Sequence, residues 1–251
     1  RLSENTTIAG PLAAKAVDDT VFWMGIEEFY VYTGQVQKLP CSVRSFVFND
    51  FNLSQMELVT ASLNSSFSEI WWFYPSASSQ EIDKYVIYNY QEQVWYYGNL
   101  ERTYWLDRGV NDFPVAASTD GYLYNQEFGL NDGSTTPPTA ITSYIESSQL
   151  SIGEGEDFVF LSRLIPDITF ATSTSTAPTV NMTFQTRNAP GGQYLQSNVS
   201  GVTETATTPV EQFTEQAFIR LRGRAFALKV DSSTLDTQWR LGTTRVDVRP
   251  D

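Results

Sequence analysis

The apolar pattern of this 251-residue chain changes character along its length. Between residues 69 and 98 (EIWWFYPSASSQEIDKYVIYNYQEQVWYYG) apolar positions come as unbroken aromatic and β-branched runs. Such residues suit a pleated, half-buried surface, and runs of them bounded by turn formers predict strands. Three strands are predicted here, at 70–74, 85–90 and 94–97. Pro75-Ser-Ala-Ser-Ser separates the first two, and Gln91-Glu-Gln makes a tight link to the third. Upstream, strands are predicted at Thr20–Met24, Phe29–Tyr32, Val36–Leu39 and 45–48. In 53–62, Met56 and Val59 fall at helical spacing, but a strand at 57–61 after a short turn is preferred. Downstream come 103–106, then Val115–Ala117 and 122–124 as a hairpin on Asp120-Gly121, a favoured turn pair.

Asn131-Asp-Gly-Ser-Thr-Thr-Pro-Pro is polar, glycine-bearing and closed by two prolines, which marks a domain boundary. Beyond it aromatics thin out and Ser and Thr rise. Short strands are predicted at 140–146, 158–165, 167–171, Thr179–Arg187, 197–204, 217–221, 225–230, 238–241 and 246–248. Many short strands at this spacing predict a β-sandwich or jelly roll. The first part carries a weak internal echo: Phe29-Tyr-Val-Tyr, Tyr85-Val-Ile-Tyr and Gly121-Tyr-Leu-Tyr. Its last tyrosines are spaced around the propeller period of roughly 40–50 residues. The predicted architecture is all-β. An extended lead-in (1–17) precedes a partial β-propeller (18–130), a linker (131–139) and a β-sandwich-like domain (140–251).

Composition narrows the chemistry. There is no His, and Cys41 is the only cysteine. The commonest general base, the commonest transition-metal ligand, an intrachain disulfide and a thiolate cluster are therefore all excluded. Net charge is −13, which argues against a general nucleic-acid-binding surface. Residues 1–150 carry 7 basic and 18 acidic side chains, so most of the excess lies there.

Carboxylates stand at Glu27, Glu28, Asp50, Glu69, Asp107, Asp112 and Asp120. A glycosidase needs two of them beside aromatics that stack on sugar, and Trp71, Trp72, Trp95 and Trp105 are the available rings. No spacing marks a pair. Gly153-Glu-Gly-Glu-Asp and Asn131-Asp-Gly-Ser are oxygen-rich turns, but neither matches a twelve-residue calcium loop. No nucleophile or phosphate-loop motif occurs, so no catalytic residue, cofactor or metal is predicted. Trp72, Tyr88 and Trp95 are expected in the propeller core. Arg220-Leu-Arg-Gly-Arg is more distinctive. On a straight strand Arg220, Arg222 and Arg224 share a face, as expected either of a surface strand paired with local carboxylates or of a subunit contact, with Gly223 able to bulge.

Tyr30-Val-Tyr-Thr-Gly-Gln-Val-Gln-Lys-Leu-Pro-Cys, Trp72-Phe-Tyr-Pro-Ser, Tyr85-Val-Ile-Tyr-Asn-Tyr-Gln-Glu-Gln-Val-Trp-Tyr-Tyr-Gly, Asp120-Gly-Tyr-Leu-Tyr, Pro209-Val-Glu-Gln-Phe, Arg222-Gly-Arg, Trp239-Arg-Leu-Gly and Asp247-Val-Arg-Pro-Asp follow one another in order. From about Asp18 onward, this series resembles the C-terminal part of the tail hub or nozzle proteins of short-tailed bacteriophages, also called packaged-DNA stabilisation proteins. The resemblance implies a non-enzymatic virion structural protein, assembled in the host cytoplasm. It implies a ring, typically a hexamer, beside adaptor, fibre, spike or needle proteins. Double-stranded DNA would be retained, then passed without specific binding. A complete member would need more N-terminal sequence to finish its propeller. The alternative from a different class is a carbohydrate-binding or carbohydrate-cleaving propeller on a virion or cell surface.

Overall fold

The computed structural model describes residues 6–151, 156–189 and 204–250. Among them the protein is all-β, built from several antiparallel sheets with little helix. It divides into two compact units, Arg1–Phe128 and Gly129–Asp251.

The first unit is a succession of antiparallel meanders, in which each strand pairs with the next along the chain. The first meander is Ala14–Val17 (β1), Thr20–Met24 (β2), Phe29–Tyr32 (β3) and Val36–Leu39 (β4). The second is Thr60–Asn64 (β5), Glu69–Tyr74 (β6), Lys84–Asn89 (β7) and Val94–Asn99 (β8). The third is Tyr104–Leu106 (β9), Val115–Ala117 (β10) and Leu123–Asn125 (β11). The turn into β11 uses Gly121 at φ 86°, a left-handed conformation that costs glycine little. The sequence echo falls on β3, on β7 and on the entry to β11, the third strand of each meander.

The apolar run of β6 has a structural reason: its sheet is covered on both faces. Successive side chains of a strand point to opposite sides. Ile70, Trp72 and Tyr74 enter a core with Phe22, Met24, Phe29 and Leu39 of the first meander. Trp71 and Phe73 enter another with Trp105 and Ala116 of the third. A strand buried on both faces cannot alternate with polar residues. Ring centroids lie 5.0 Å apart for Phe29–Trp72 and 4.9 Å for Trp71–Trp105. Such pairs contribute roughly 0.5–1.5 kcal/mol each beyond area burial.

The first strands of the meanders lie side by side. Leu12, just before β1, forms a parallel bridge with Thr60, and the Ala61 amide donates to the Leu12 carbonyl at 2.7 Å. The Thr60 hydroxyl donates to the Thr103 carbonyl at 3.4 Å, and the Ser62 hydroxyl to that of Trp105 at 3.2 Å. β1, β5 and β9 therefore run in the same direction.

Three expectations change in this unit. Residues 1–17 are not only a lead-in, since β1 completes the first sheet by pairing with β2. The predicted strand at 45–48 is a one-turn helix, Arg44–Asn49 (α1). Its three adjacent apolar side chains face different ways, Phe46 onto Tyr97, Phe48 onto Phe29, and Val47 fully buried. A flat strand cannot spread neighbours so. The strand predicted at 57–61 starts later, at Thr60. A 3₁₀ helix, Leu53–Leu58, precedes it, with the Asn52 carboxamide accepting from the Ser54 amide.

In the second unit the stretch expected as a linker forms a hairpin, Asn131–Asp132 (β12) with Thr139–Ala140 (β13). Then come Ser143–Glu146 (β14), Leu150–Ser151 (β15), Val159–Ile165 (β16), Ile168–Thr169 (β17) and Thr179–Arg187 (β18). Thr205–Glu211 (β19), Ala217–Gly223 (β20), Ala225–Ser232 (β21), Arg240–Leu241 (β22) and Arg245–Pro250 (β23) complete it. One sheet has the order β14-β21-β18-β19, with β15 also pairing β21; another has the order β20-β16-β23. Both feed one core. Leu161, Leu164, Ile219 and Leu221 come from the smaller sheet, and Val180, Met182, Phe184, Val210 and Val230 from the larger. Of the strand predicted at 197–204, residues 197–203 lie outside the described residues. The observed strand is β19, which carries Pro209 opposite Asn181 on the sheet edge. A proline donates no ladder hydrogen bond, and an edge tolerates that.

Candidate functional site

The residues expected in the propeller core occupy one apolar cluster. Trp72 is fully buried and Tyr88 nearly so, while Trp95 is half-buried and packs against both. The indole of Trp72 donates to the Ala13 carbonyl at 3.1 Å, and that of Trp95 to Pro40 at 2.9 Å. Trp71 and Trp105 are 7% and 3% exposed. Of the rings that a sugar platform would need, Trp71, Trp72 and Trp105 are spent on sheet packing.

Most candidate carboxylates are satisfied locally. Glu28 pairs with Lys38 and Arg44, and Asp50 with Lys84. Asp107 accepts from the amides of Ser65 and Arg108. Asp120 is exposed. It accepts from the Tyr124 hydroxyl at 2.6 Å and the Tyr122 amide, which hold its carboxyl below the usual range. Glu27 and Asp112 are exposed.

Glu69 is the exception, and its partner Glu127 was not among the sequence candidates. β5 ends at Asn64, β6 begins at Glu69, and Glu127 follows β11, so neighbouring meanders bring them together. The fully buried Asn64 carboxamide donates to Glu69 at 3.4 Å and to Glu127 at 3.5 Å. The Trp71 indole donates to Glu69 at 2.9 Å. Burial raises the Glu69 carboxyl; the Trp71 hydrogen bond opposes this and the nearby Glu127 charge adds to it. Glu127 is an exposed residue, but its carboxyl lies against Asn64, and partial desolvation there raises it as well, against its bond to Asn64. No spacing in the sequence signals this pair, because register between different sheets creates it.

Metal candidates gain no ligand set. Among the described residues no group of three or more His, Cys, Asp or Glu is placed to hold a metal ion. In the Asn131 turn the oxygens are occupied: Asn131 exchanges two hydrogen bonds with Asp236, and Asp132 accepts from the Ser134 amide. In the other turn, residues 152–155 lie outside the described residues. Burial pushes the free Cys41 thiol up to about 11, so it is a poor nucleophile at neutral pH. No helix among the described residues is long and apolar enough to cross a membrane.

The arginine strand resolves into two settings. Arg220 and Arg222 are exposed on β20, while Ile219 and Leu221 between and beside them are buried. β20 ends at Gly223. A Cβ there would stand 2.9 Å from the Thr186 Cβ, so only glycine lets the chain pass from one sheet to the other. Arg224 sits at this crossing, half-buried, with its amide donating to the Arg187 carbonyl. The guanidinium carbons of Arg222 and Arg224 lie 3.9 and 4.6 Å from the centroid of the Phe158 ring. The arginines thus meet an aromatic ring, an arrangement favoured by its quadrupole.

No protein-family model matches this chain, and a search of curated proteins gives no significant match.

Proposed function

We propose that this chain is a structural subunit of a bacteriophage tail, of the hub or nozzle kind. It forms a ring-shaped channel, typically six copies, that retains packaged DNA, conducts it at ejection and mounts neighbouring tail proteins. Residues 14–125 supply consecutive propeller blades on this reading, and the second unit is a β-sandwich. The observation that carries it is the stacking of three meanders with their first strands side by side and parallel. Radial sheets of this sort with aligned inner strands are how propeller blades pack. An acidic wall suits passage of a polyanion, because Lys and Arg contacts to phosphate would retain it. The chain performs no hydrolysis on this reading.

The carbohydrate-processing alternative draws on Glu69 and Glu127, two carboxyls with raised protonation beside Trp71. It requires an exposed ring to receive a sugar, and burial of Trp71 and Trp105 speaks against it. The deciding experiment is electron microscopy and native mass measurement of the purified full chain. Closed rings of one size support the channel subunit. A monomer that releases reducing ends from polysaccharide, and loses this with Glu69→Gln, overturns it.

A further inference from the structure

The outer face of the β20-β16-β23 sheet is basic, in a protein of charge −13. Arg222, Phe160 and Arg249 are directly opposite one another across the three strands. Arg163 is level with Phe218 and Asp247, and Arg245 with Ile165. Period-two alternation puts Arg220 and Arg222, and likewise Arg245, Asp247 and Arg249, on this side, while Leu221 and Val248 turn to the core. Among the described residues of these three strands, five arginines and one carboxylate share this face, while Glu156 and Asp157 are exposed just before β16 and Glu215 just before β20. Arg163 already engages the Asp247 carboxylate, at 2.8 Å from its Nε and 2.7 Å from an Nη. Phe218, on the same strand, is 78% exposed, and nearby Phe213 is 88% exposed. Arginine and aromatic residues together are what protein interfaces enrich.

The complement is present in the first unit. β2 ends, β3 and β5 start, β6 ends, β7 starts, β8 ends, β9 starts and β10 ends at one edge of the stacked meanders. This follows from the antiparallel pairing within each sheet and the common direction of β1, β5 and β9. Glu27, Glu57, Glu81, Glu101 and Asp120 lie in the connections at that edge, and all are exposed. Of the basic side chains near them, Lys38 and Arg44 are engaged by Glu28, Lys84 by Asp50, and Arg102 lies over the Tyr124 ring, while Lys15 stands near the start of β1.

We propose that the basic outer face of the β20-β16-β23 sheet is the docking surface for the acidic edge of residues 1–128 of a second copy of this chain. The inference rests on the ring-subunit reading and specifies which two surfaces form its contact. The surfaces differ, so the contact is head-to-tail, the kind that closes rings. Opposed charges steer the encounter, and like charges placed opposite each other reject it.

A charge swap in the full chain tests it, read by sedimentation velocity at about 50 mM and about 0.5 M salt, between which screening changes strongly. The basic-face variant is Arg220→Glu with Arg245→Glu and Arg249→Glu. The acidic-edge variant is Glu57→Arg with Glu81→Arg and Glu101→Arg. All sit on exposed positions, and unchanged circular dichroism and melting temperature check the fold. The expected result is a wild-type oligomer that loosens at high salt, and either variant weakened by roughly a hundredfold or more. Mixing the two variants should restore association, since each supplies the charge that the other lacks. A wild-type oligomer that neither variant disturbs, or a mixture that stays dissociated, overturns this contact while leaving the ring reading intact. A wild type that is monomeric throughout overturns both. A monomer that instead binds labelled single-stranded DNA through Arg220, Arg245 and Arg249 assigns the face to nucleic acid and overturns the docking proposal.

Discussion

β6 and β18 are the central strands of their respective units, and they are written in different alphabets. β6, EIWWFY, is buried at five consecutive positions from Ile70 to Tyr74. β18, TVNMTFQTR, buries Val180, Met182, Phe184 and Thr186 and leaves every intervening side chain partly exposed. Both are hydrogen-bonded on both sides, so the ladder does not distinguish them. The number of covered faces does. A sheet packed between two others loses the polar half of its alternation, and a sheet packed on one other keeps it. Continuous aromatic runs therefore report stacking, and alternation reports a two-layer core.

The sharpest way to break this contrast is a charge. Phe73→Lys places an ammonium group in the core shared with the third meander, where an unpaired charge costs several kcal/mol. It should unfold the first unit, whereas Gln185→Lys on the open side of β18 should stay within about 0.5 kcal/mol of wild type. Five of the six tryptophans (Trp23, Trp71, Trp72, Trp95 and Trp105) precede Phe128, so their fluorescence reports that unit in a denaturant titration. Equal damage from both lysines would contradict the layer argument.

A second measurement grades burial within one core. Trp72→Ala should cost about 3–5 kcal/mol, and Trp95→Ala less, because Trp95 remains half-exposed on the edge strand β8. The reverse order would mean that the edge, not the centre, carries the stack. Thermal or chemical denaturation of each variant decides it.

The smallest effect is the pH response of Glu69 and Glu127. Both carboxyls are raised in the folded protein. Their protonated forms add stability that is fully present below the unfolded carboxyl range and lost as pH rises through the raised folded values. Glu127→Gln removes its share of that loss. The variant should therefore gain on wild type in denaturation midpoint as pH rises from the ordinary carboxyl range through the raised folded value. Parallel curves would show that Glu127 titrates as an ordinary exposed side chain.

These regions also show what is legible in a sequence. The long aromatic strands and Thr179–Arg187 are readable because each reflects its own covering layers. β19 was not: its threonines and Pro209 look like a loop until the partner β18 is known, and then proline at an edge costs little. α1 hid in the short apolar run Phe46-Val47-Phe48, which fits strand and helix equally. The basic face was half visible. Arg220 and Arg222 adjoin in sequence, but Arg163, Arg245 and Arg249 join them only through pairing of β16 with β20 and β23. The Glu69–Asn64–Glu127 cluster was less visible still, since it joins the β5–β6 connection of one sheet to the segment after β11 of another.

The pairing orders have a consequence in time. Every sheet of residues 14–125 pairs neighbours in the chain, so each meander can close once its own last strand has left the ribosome. β16 cannot behave so. Its partner β23 lies at the far end of the described chain, and Ser162 waits for Asp247, 85 residues later. Local pairings form quickly, while distant ones must first overcome the entropy of a long loop. The aromatic half is thus set to fold during synthesis, and the arginine-bearing sheet is completed only after β23 has been made.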